Sequence, residues 1–208
     1  MSNVLAITEQ RDGALRKVSL EVVTGARRLA DGLGGTVDAL VLGAGPVTGS
    51  DQLGGVGADK VIVATNGAWA RYAPEAFARA IAERARSGGY AAVVFAASAQ
   101  GKDLAPRVAA RLGVALAADV TAVAIDGGAV TATRPVYAGK ALLKVKVTST
   151  PALLSLRPNV FTPVQRPKAG TVESATVSGD AGRVVVNPGI AFRRGCVSRP
   201  DPHPPIFS

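Results

Sequence analysis

The chain is poor in the residues that usually carry chemistry or covalent bracing: its 208 residues include one cysteine, one histidine, one methionine and one tryptophan. A single cysteine excludes an internal disulfide, which accords with a reducing compartment. Cys196 and His203 stand close together in a proline-rich terminus, where neither a Cys/His nucleophile pair nor a metal cluster finds a formed site. Aromatic residues are only 4% of the chain, so the interior has to be packed from Ala, Val and Leu. No stretch reaches the roughly 18 apolar residues of a membrane span. The start, "MSNVLAITEQRDG", lacks the basic then apolar pattern of a signal peptide. A cytoplasmic protein without membrane insertion is expected.

Apolar residues are plentiful, at 48% against 19% charged, enough for one α/β domain that buries roughly 70% of the surface of its unfolded chain. The net charge of +9 is dispersed: residues 1–180 hold 20 Lys and Arg against 14 Asp and Glu, and residues 181–208 hold 4 against 1. Stacking aromatics are not interleaved with the basic residues, and neither an RNP-like string nor a helix-turn-helix pattern occurs. Nucleic acid is therefore not expected as a partner.

Strand and helix signals alternate through the first half. "NVLAIT" (3–8) reads as a buried strand, closed by the turn residues of "EQRDG". Ser19 precedes a helical stripe of Val22, Ala26, Leu29 and Leu33, which Gly34-Gly35 ends. "TVDALVLG" (36–43), "DKVIVAT" (59–65) and "YAAVVFAA" (90–97) are too continuously apolar to have a wet face. Pro74 suits the first turn of a helix with Phe77, Ile81 and Ala85 as its stripe, and Gly88-Gly89 stops it. Leu104, Val108 and Leu112 mark another helix. Right-handed crossovers would lay these strands parallel, with helices on both faces of the sheet.

From Asp119 the rhythm changes. "DVTAVAI", "AVTATRPVY", "ALLKVKVT" and "ALLSLRP" are β-rich and separated by "DGG", "AGK" and "STP". They are expected as an antiparallel extension on the edge of the sheet, with Lys144 and Lys146 guarding it against unwanted pairing.

Three stretches are candidates for function. "LGAGPVTG" (42–49) has Gly43, Gly45 and Gly49 after a strand. Its spacing departs from a dinucleotide fingerprint, and Pro46 removes an N–H from the turn, so a loose connection is the expectation rather than a phosphate loop. "FAASAQGKDLAPRVAARLG" (95–113) turns from strand to helix at Ser98, Gln100 and Gly101. That corner lies beyond a strand's carboxyl end, where ligands of open α/β sheets bind, yet nothing titratable converges on it. Asp103 is placed to cap or start the helix and to pair with Arg107, and Pro106 is read as belonging to the same first turn. In "TRPVYAGKA" (133–141), Arg134, Tyr137 and Lys140 surround a Pro and a Gly, a grouping typical of protein interfaces. Gln100, Gly101, Asp103, Arg134, Tyr137 and Lys140 are the candidate partner-interface residues. No catalytic, cofactor-binding or metal-binding residue is assigned.

"SAQGKDLAPRVAARLGVALAADVTAV" (98–123), "TATRPVYAGKALLKVKV" (131–147) and "LRPNVFTP" (156–163), with the earlier "TVDALVLG" and "GADKVIVA", together resemble the amino-terminal domain of the electron transfer flavoprotein α subunit. The likeness covers about residues 3–175. It implies a Rossmann-like α/β unit of the adenine nucleotide α-hydrolase-like kind, and a heterodimer with a β subunit. It also implies one FAD, and passage of electrons from flavin dehydrogenases, such as the acyl-CoA dehydrogenases of fatty-acid β-oxidation, to a quinone oxidoreductase. In the family the FAD is held mainly by a second, downstream domain.

Here residues 181–208 stand where that domain would begin. They carry 5 of the 13 prolines and the only His and Cys. The expectation is a domain over 1–175 and a divergent, flexible tail over 176–208, the family sequence being cut short near Gly182 to Val186 by a frameshift or truncation. The chain would then be an electron-carrier subunit without catalytic residues of its own, and would not bind FAD alone. The rival expectation is a free-standing adenine-nucleotide-binding module of the universal-stress-like fold, using the turn at 43–49.

Overall fold

The first strand, β1 (Val4–Ile7), is buried along its whole length, with Val4 and Ala6 in one apolar cluster and Leu5 and Ile7 in another. That division runs through the domain. A computed structural model describes residues 2–166 and 170–176. After β1 come a small ribbon of β2 (Gln10–Arg11) and β3 (Ala14–Leu15), then α1 (Val18–Leu33), β4 (Val37–Gly43), the short α2 (Gln52–Gly55) and β5 (Lys60–Thr65). A 3-10 turn at Gly67–Trp69 leads into α3 (Pro74–Gly88), β6 (Ala92–Ala96) and α4 (Ala99–Leu112). The remaining elements are strands: β7 (Leu116–Val120), β8 (Ala122–Asp126), β9 (Ala129–Val136), β10 (Ala141–Lys146), β11 (Ala152–Leu156) and β12 (Thr171–Thr176).

Seven strands form one sheet in the order β12-β5-β4-β1-β6-β11-β7, and every pair in it is parallel. Val22, Val23, Ala26 and Leu29 of α1 and Leu53 of α2 pack on one face; Phe77 and Ile81 of α3 with Leu104 and Val108 of α4 pack on the other. Two covered faces explain why β4 and β6 are buried at every position. Helices α1, α3 and α4 each stop at a glycine in the left-handed conformation, Gly34 (φ 66°), Gly89 (φ 57°) and Gly113 (φ 70°), which a residue with a Cβ adopts only at a cost.

The α/β class with a mostly parallel sheet, helices on both faces and a small antiparallel sheet is what the pattern predicted. Several local assignments differ. "ALLSL" is not part of the antiparallel group: as β11 it lies inside the parallel sheet between β6 and β7, buried at all five positions. The antiparallel strands β10-β9-β8 form a sheet of their own that continues from the edge strand β7. Ser19 is not the cap of α1, whose N-cap is Lys17; its buried hydroxyl instead bonds the backbone N–H and C=O of Glu9. The turn at 43–49 is pinned rather than loose, since Thr48 exchanges backbone bonds with Gly13 and Leu15.

A long crossover leaves β11 on one side of the sheet and reaches β12 at the opposite edge. Phe161, fully buried, anchors it beneath the Arg28 guanidinium, 5.5 Å from the ring centroid, and the Asn159 N–H donates to Glu21 at 2.7 Å. The expected tail from 176 lies outside the described residues except for the backbone of Thr176, as do Cys196, His203 and the expected break at 182–186. No described helix is long and apolar enough to cross a membrane.

Candidate partner interface

Two groups of predicted residues are built in different ways. At the strand-to-helix corner, Ser98 is the N-cap of α4: its Oγ accepts the Gly101 N–H at 3.0 Å, satisfying one of the donors a helix start leaves over. Gly101 itself is buried, and a Cβ there would sit 1.8 Å from the Ala96 carbonyl oxygen, so helix and strand meet at glycine distance. Asp103 is neither cap nor first turn. One turn in, it accepts the Tyr72 hydroxyl at 2.7 Å and the Arg107 Nε–H at 2.8 Å. These bonds hold its carboxyl below the usual range, that from Tyr72 contributing most. The Tyr72 phenol is pushed up, by burial first and by Asp103 second. Pro106 lies inside α4 rather than at its start, on the exposed side.

The second group surrounds the β9–β10 turn. Tyr137 and Ala138 both have positive φ, 51° and 55°, a conformation costly for residues with a Cβ and informative where it occurs at an exposed tip. Tyr137 is 81% exposed, and Leu142 on β10 is 71% exposed. Lys140 is exposed too. Below the tip a cleft of about 500 Å³ is lined by Asp119, Arg134, Tyr137 and Arg157 among others. Arg134 Nε is buried without a hydrogen-bond partner among the described residues.

Asp119, which the sequence reading did not single out, forms the base of this cleft. It has φ 59° where β7 gives way to β8, its N–H donates to Ser155 Oγ, and Arg157 grips its carboxylate with two bonds of 3.0 and 2.5 Å. The bond from Arg157 lowers the Asp119 pKa most; burial opposes it, and the charges of Arg157, Lys102 and Arg134 add to it. Lys102 is the neighbour of Gly101, so the corner and the hairpin cleft adjoin at the carboxyl end of the sheet. A carboxyl whose folded pKa is depressed stabilises the fold above its unfolded value near 3.9, and that contribution fades as pH falls through the folded value. Asp119→Asn, which tolerates positive φ, should lower stability by about 1 kcal/mol or less at pH 7, given that the pair is partly solvated. The gap to wild type should begin to close only below about pH 4. Asp119→Ala should lose roughly 1 kcal/mol more through backbone strain. Denaturant titrations at pH 7, 5 and 3.5 check this; a gap that does not narrow in acid would show that the carboxylate charge is not what holds the turn.

A family model described as the electron transfer flavoprotein domain matches residues 4–180. The chain belongs to that family. Among curated relatives, Protein FixB of Clostridium saccharobutylicum is 38% identical over 161 residues, 76% of this chain and 48% of that protein. The electron transfer flavoprotein subunit alpha of Syntrophomonas wolfei is 34% identical over 184 residues (88% and 57%), and that of Bacillus subtilis 32% over 177 residues (84% and 54%). The chain thus spans about half the length of the curated relatives it matches.

At the two turns considered for a pyrophosphate, three donors are engaged within the protein: the Gly101 N–H by Ser98, the Thr48 N–H by Gly13, and the Ser98 hydroxyl by Glu9 at 2.5 Å. Among the described residues, no cluster of three or more His, Cys, Asp or Glu is placed to hold a metal.

Proposed function

We propose that this chain is the docking scaffold of an electron transfer flavoprotein α subunit, and that the β9–β10 hairpin is the surface on which a β subunit closes. The observation that carries the reading is the hairpin tip: an exposed Tyr137 in a strained conformation, followed on β10 by an exposed Leu142. Free in water, such a tip is unfavourable; buried against a partner, tyrosine is among the side chains that contribute most to binding. Arg134, with an unsatisfied donor, and Lys140 flank it, while the Asp119–Arg157 clamp fixes its base. Gly101 and Asp103 hold the adjoining corner in shape, and Gln100 lines the cleft beside it.

In the complete protein FAD would carry the electrons, accepted from flavin dehydrogenases such as acyl-CoA dehydrogenases and passed to a quinone oxidoreductase. The part of this chain is to position the partner, not to react, and FAD is not expected on the chain alone. The reading of a free-standing adenine-nucleotide module has little support, because the turn at 43–49 spends its Thr48 N–H on Gly13.

The test is association with a β subunit, measured by calorimetry for wild type and for Tyr137→Ala with Leu142→Ser. The double variant should fold normally, since both side chains are exposed, and should bind at least about 30-fold more weakly, the equivalent of losing one aromatic anchor. Unchanged affinity would remove the hairpin from the interface. Stoichiometric yellow flavin on the purified chain alone would overturn the scaffold reading.

A further inference from the structure

The strand order places a topological switch point between β1 and β6, whose helical connections leave in opposite directions. Ligands of open α/β sheets sit in the crevice outside the carboxyl ends of such strands, and a phosphate there gains from the first N–H groups of the following helix. In this chain a side chain occupies that place. Glu9 follows β1 by two residues, and its side chain is only 5% exposed. Its Oε1 accepts the Ser98 hydroxyl at 2.5 Å, directly after β6, and its Oε2 accepts Arg16 Nη1–H at 2.7 Å. Oε1 lies 3.5 Å from the position a Cβ on Gly101 would take, in the first turn of α4. The backbone is held as firmly, for the Glu9 N–H and C=O both bond Ser19 Oγ and the C=O also accepts the Arg16 N–H.

We propose that the Glu9 carboxylate is a resident anion in the seat where this fold would otherwise take a ligand phosphate, and that it keeps phosphate monoesters, nucleotides included, off the domain. The groups around it are those a phosphate would use: a guanidinium, a serine hydroxyl and a helix start approached at glycine distance. Next to the seat a cleft of about 670 Å³ opens, lined by Arg11, Arg16, Arg71, Tyr72 and Gln100 among others. Arg16 belongs to both, so removing the carboxylate would turn its charge towards the cleft.

The experiment titrates the full chain with AMP and with inorganic phosphate, by calorimetry and by ³¹P NMR, for wild type, Glu9→Ala, Glu9→Gln and Asp12→Asn. Glu9→Ala vacates the seat and should bind AMP at least tenfold more tightly than wild type. Glu9→Gln keeps the shape and the bond to Ser98 while removing the charge; it should gain severalfold, and it decides the matter if Glu9→Ala fails to fold. Adding Arg16→Ala to either should abolish the gain. Asp12, 90% exposed on the rim of the cleft, is the control for net charge, and Asp12→Asn should gain less than twofold. The proposal is overturned if wild type already binds AMP as tightly as the Glu9 variants, if folded Glu9 variants gain nothing, or if Asp12→Asn gains as much. The titration needs no β subunit, so its outcome and that of the hairpin test are independent.

Discussion

Gly101→Ala should lower the melting temperature by about 6–12 °C, the shift that a loss of roughly 3 kcal/mol produces in a domain of this size. The sign is the reverse of what helix propensity alone predicts, since Gly to Ala inside a helix ordinarily gains up to about 1 kcal/mol. Here the new Cβ would lie 1.8 Å from the carbonyl oxygen of Ala96 and 2.9 Å from its carbon. Both atoms are backbone in a fully buried strand, so nothing flexible can move aside, and α4 would have to lift off the sheet. Lifting it would also loosen the Ser98 cap and the Glu9 seat. Gly67→Ala is the control: no atom lies within 4 Å of a Cβ there, and the change should be within about 0.5 kcal/mol of neutral. Thermal melts of the two variants decide it, and a Gly101→Ala protein that melts within 2 °C of wild type would show that α4 and β6 are not so close.

Phe161→Ala should cost about 3–5 kcal/mol, the range for deleting a fully buried aromatic ring. The ring packs where α1 has Gly25: a Cβ at that glycine would be 3.4 Å from Phe161 Cδ1 and 2.3 Å from Leu156 Cδ1. It is the only large apolar side chain of the segment between β11 and β12 that is fully buried among the described residues. Its loss should therefore act on β12 before the rest of the sheet. Amide exchange should show the β5–β12 ladder deprotected first, while the bonds between β1, β4 and β6 retain the global opening energy. Phe161→Leu, which refills most of the space, should cost less than about 1.5 kcal/mol. Equal loss of protection across all seven strands would indicate that the crossover and the sheet unfold as one unit.

The parallel core was legible because each strand carries its own signal. Val4–Ile7, Val37–Gly43 and Ala92–Ala96 are apolar without alternation, and the helices between them show a four-residue stripe ended by glycine. The same signal was present in "ALLSL", but its neighbours "STP" and "RP" and the three β-rich segments before it suggested a continuing antiparallel group. β12 was missed for the opposite reason: "TVESAT" is mostly polar, its residues 171–175 are exposed, and it is a strand only because β5 offers an open edge for pairing.

The candidate site divides in the same way. Tyr137 and Lys140 could be found from the sequence because a tyrosine and a lysine around a turn are suspect wherever they occur. Asp119 and Arg157 could not, being 38 residues apart with only a strained φ and a double hydrogen bond to mark them. Glu9 reads in "TEQRDG" as one more turn residue. Its partner Ser98 lies 89 residues away, and no local rule joins them.

Composition and periodicity decided the class of this protein, because covering a sheet on both faces demands apolar residues at spacings that each short segment displays for itself. Which carboxylate meets which hydroxyl or guanidinium was settled by the crossovers, which bring the ends of β1 and β6, and of β7 and β11, side by side. Those encounters are between distant parts of the chain, and their free energy comes from burial and pairing that no isolated segment possesses.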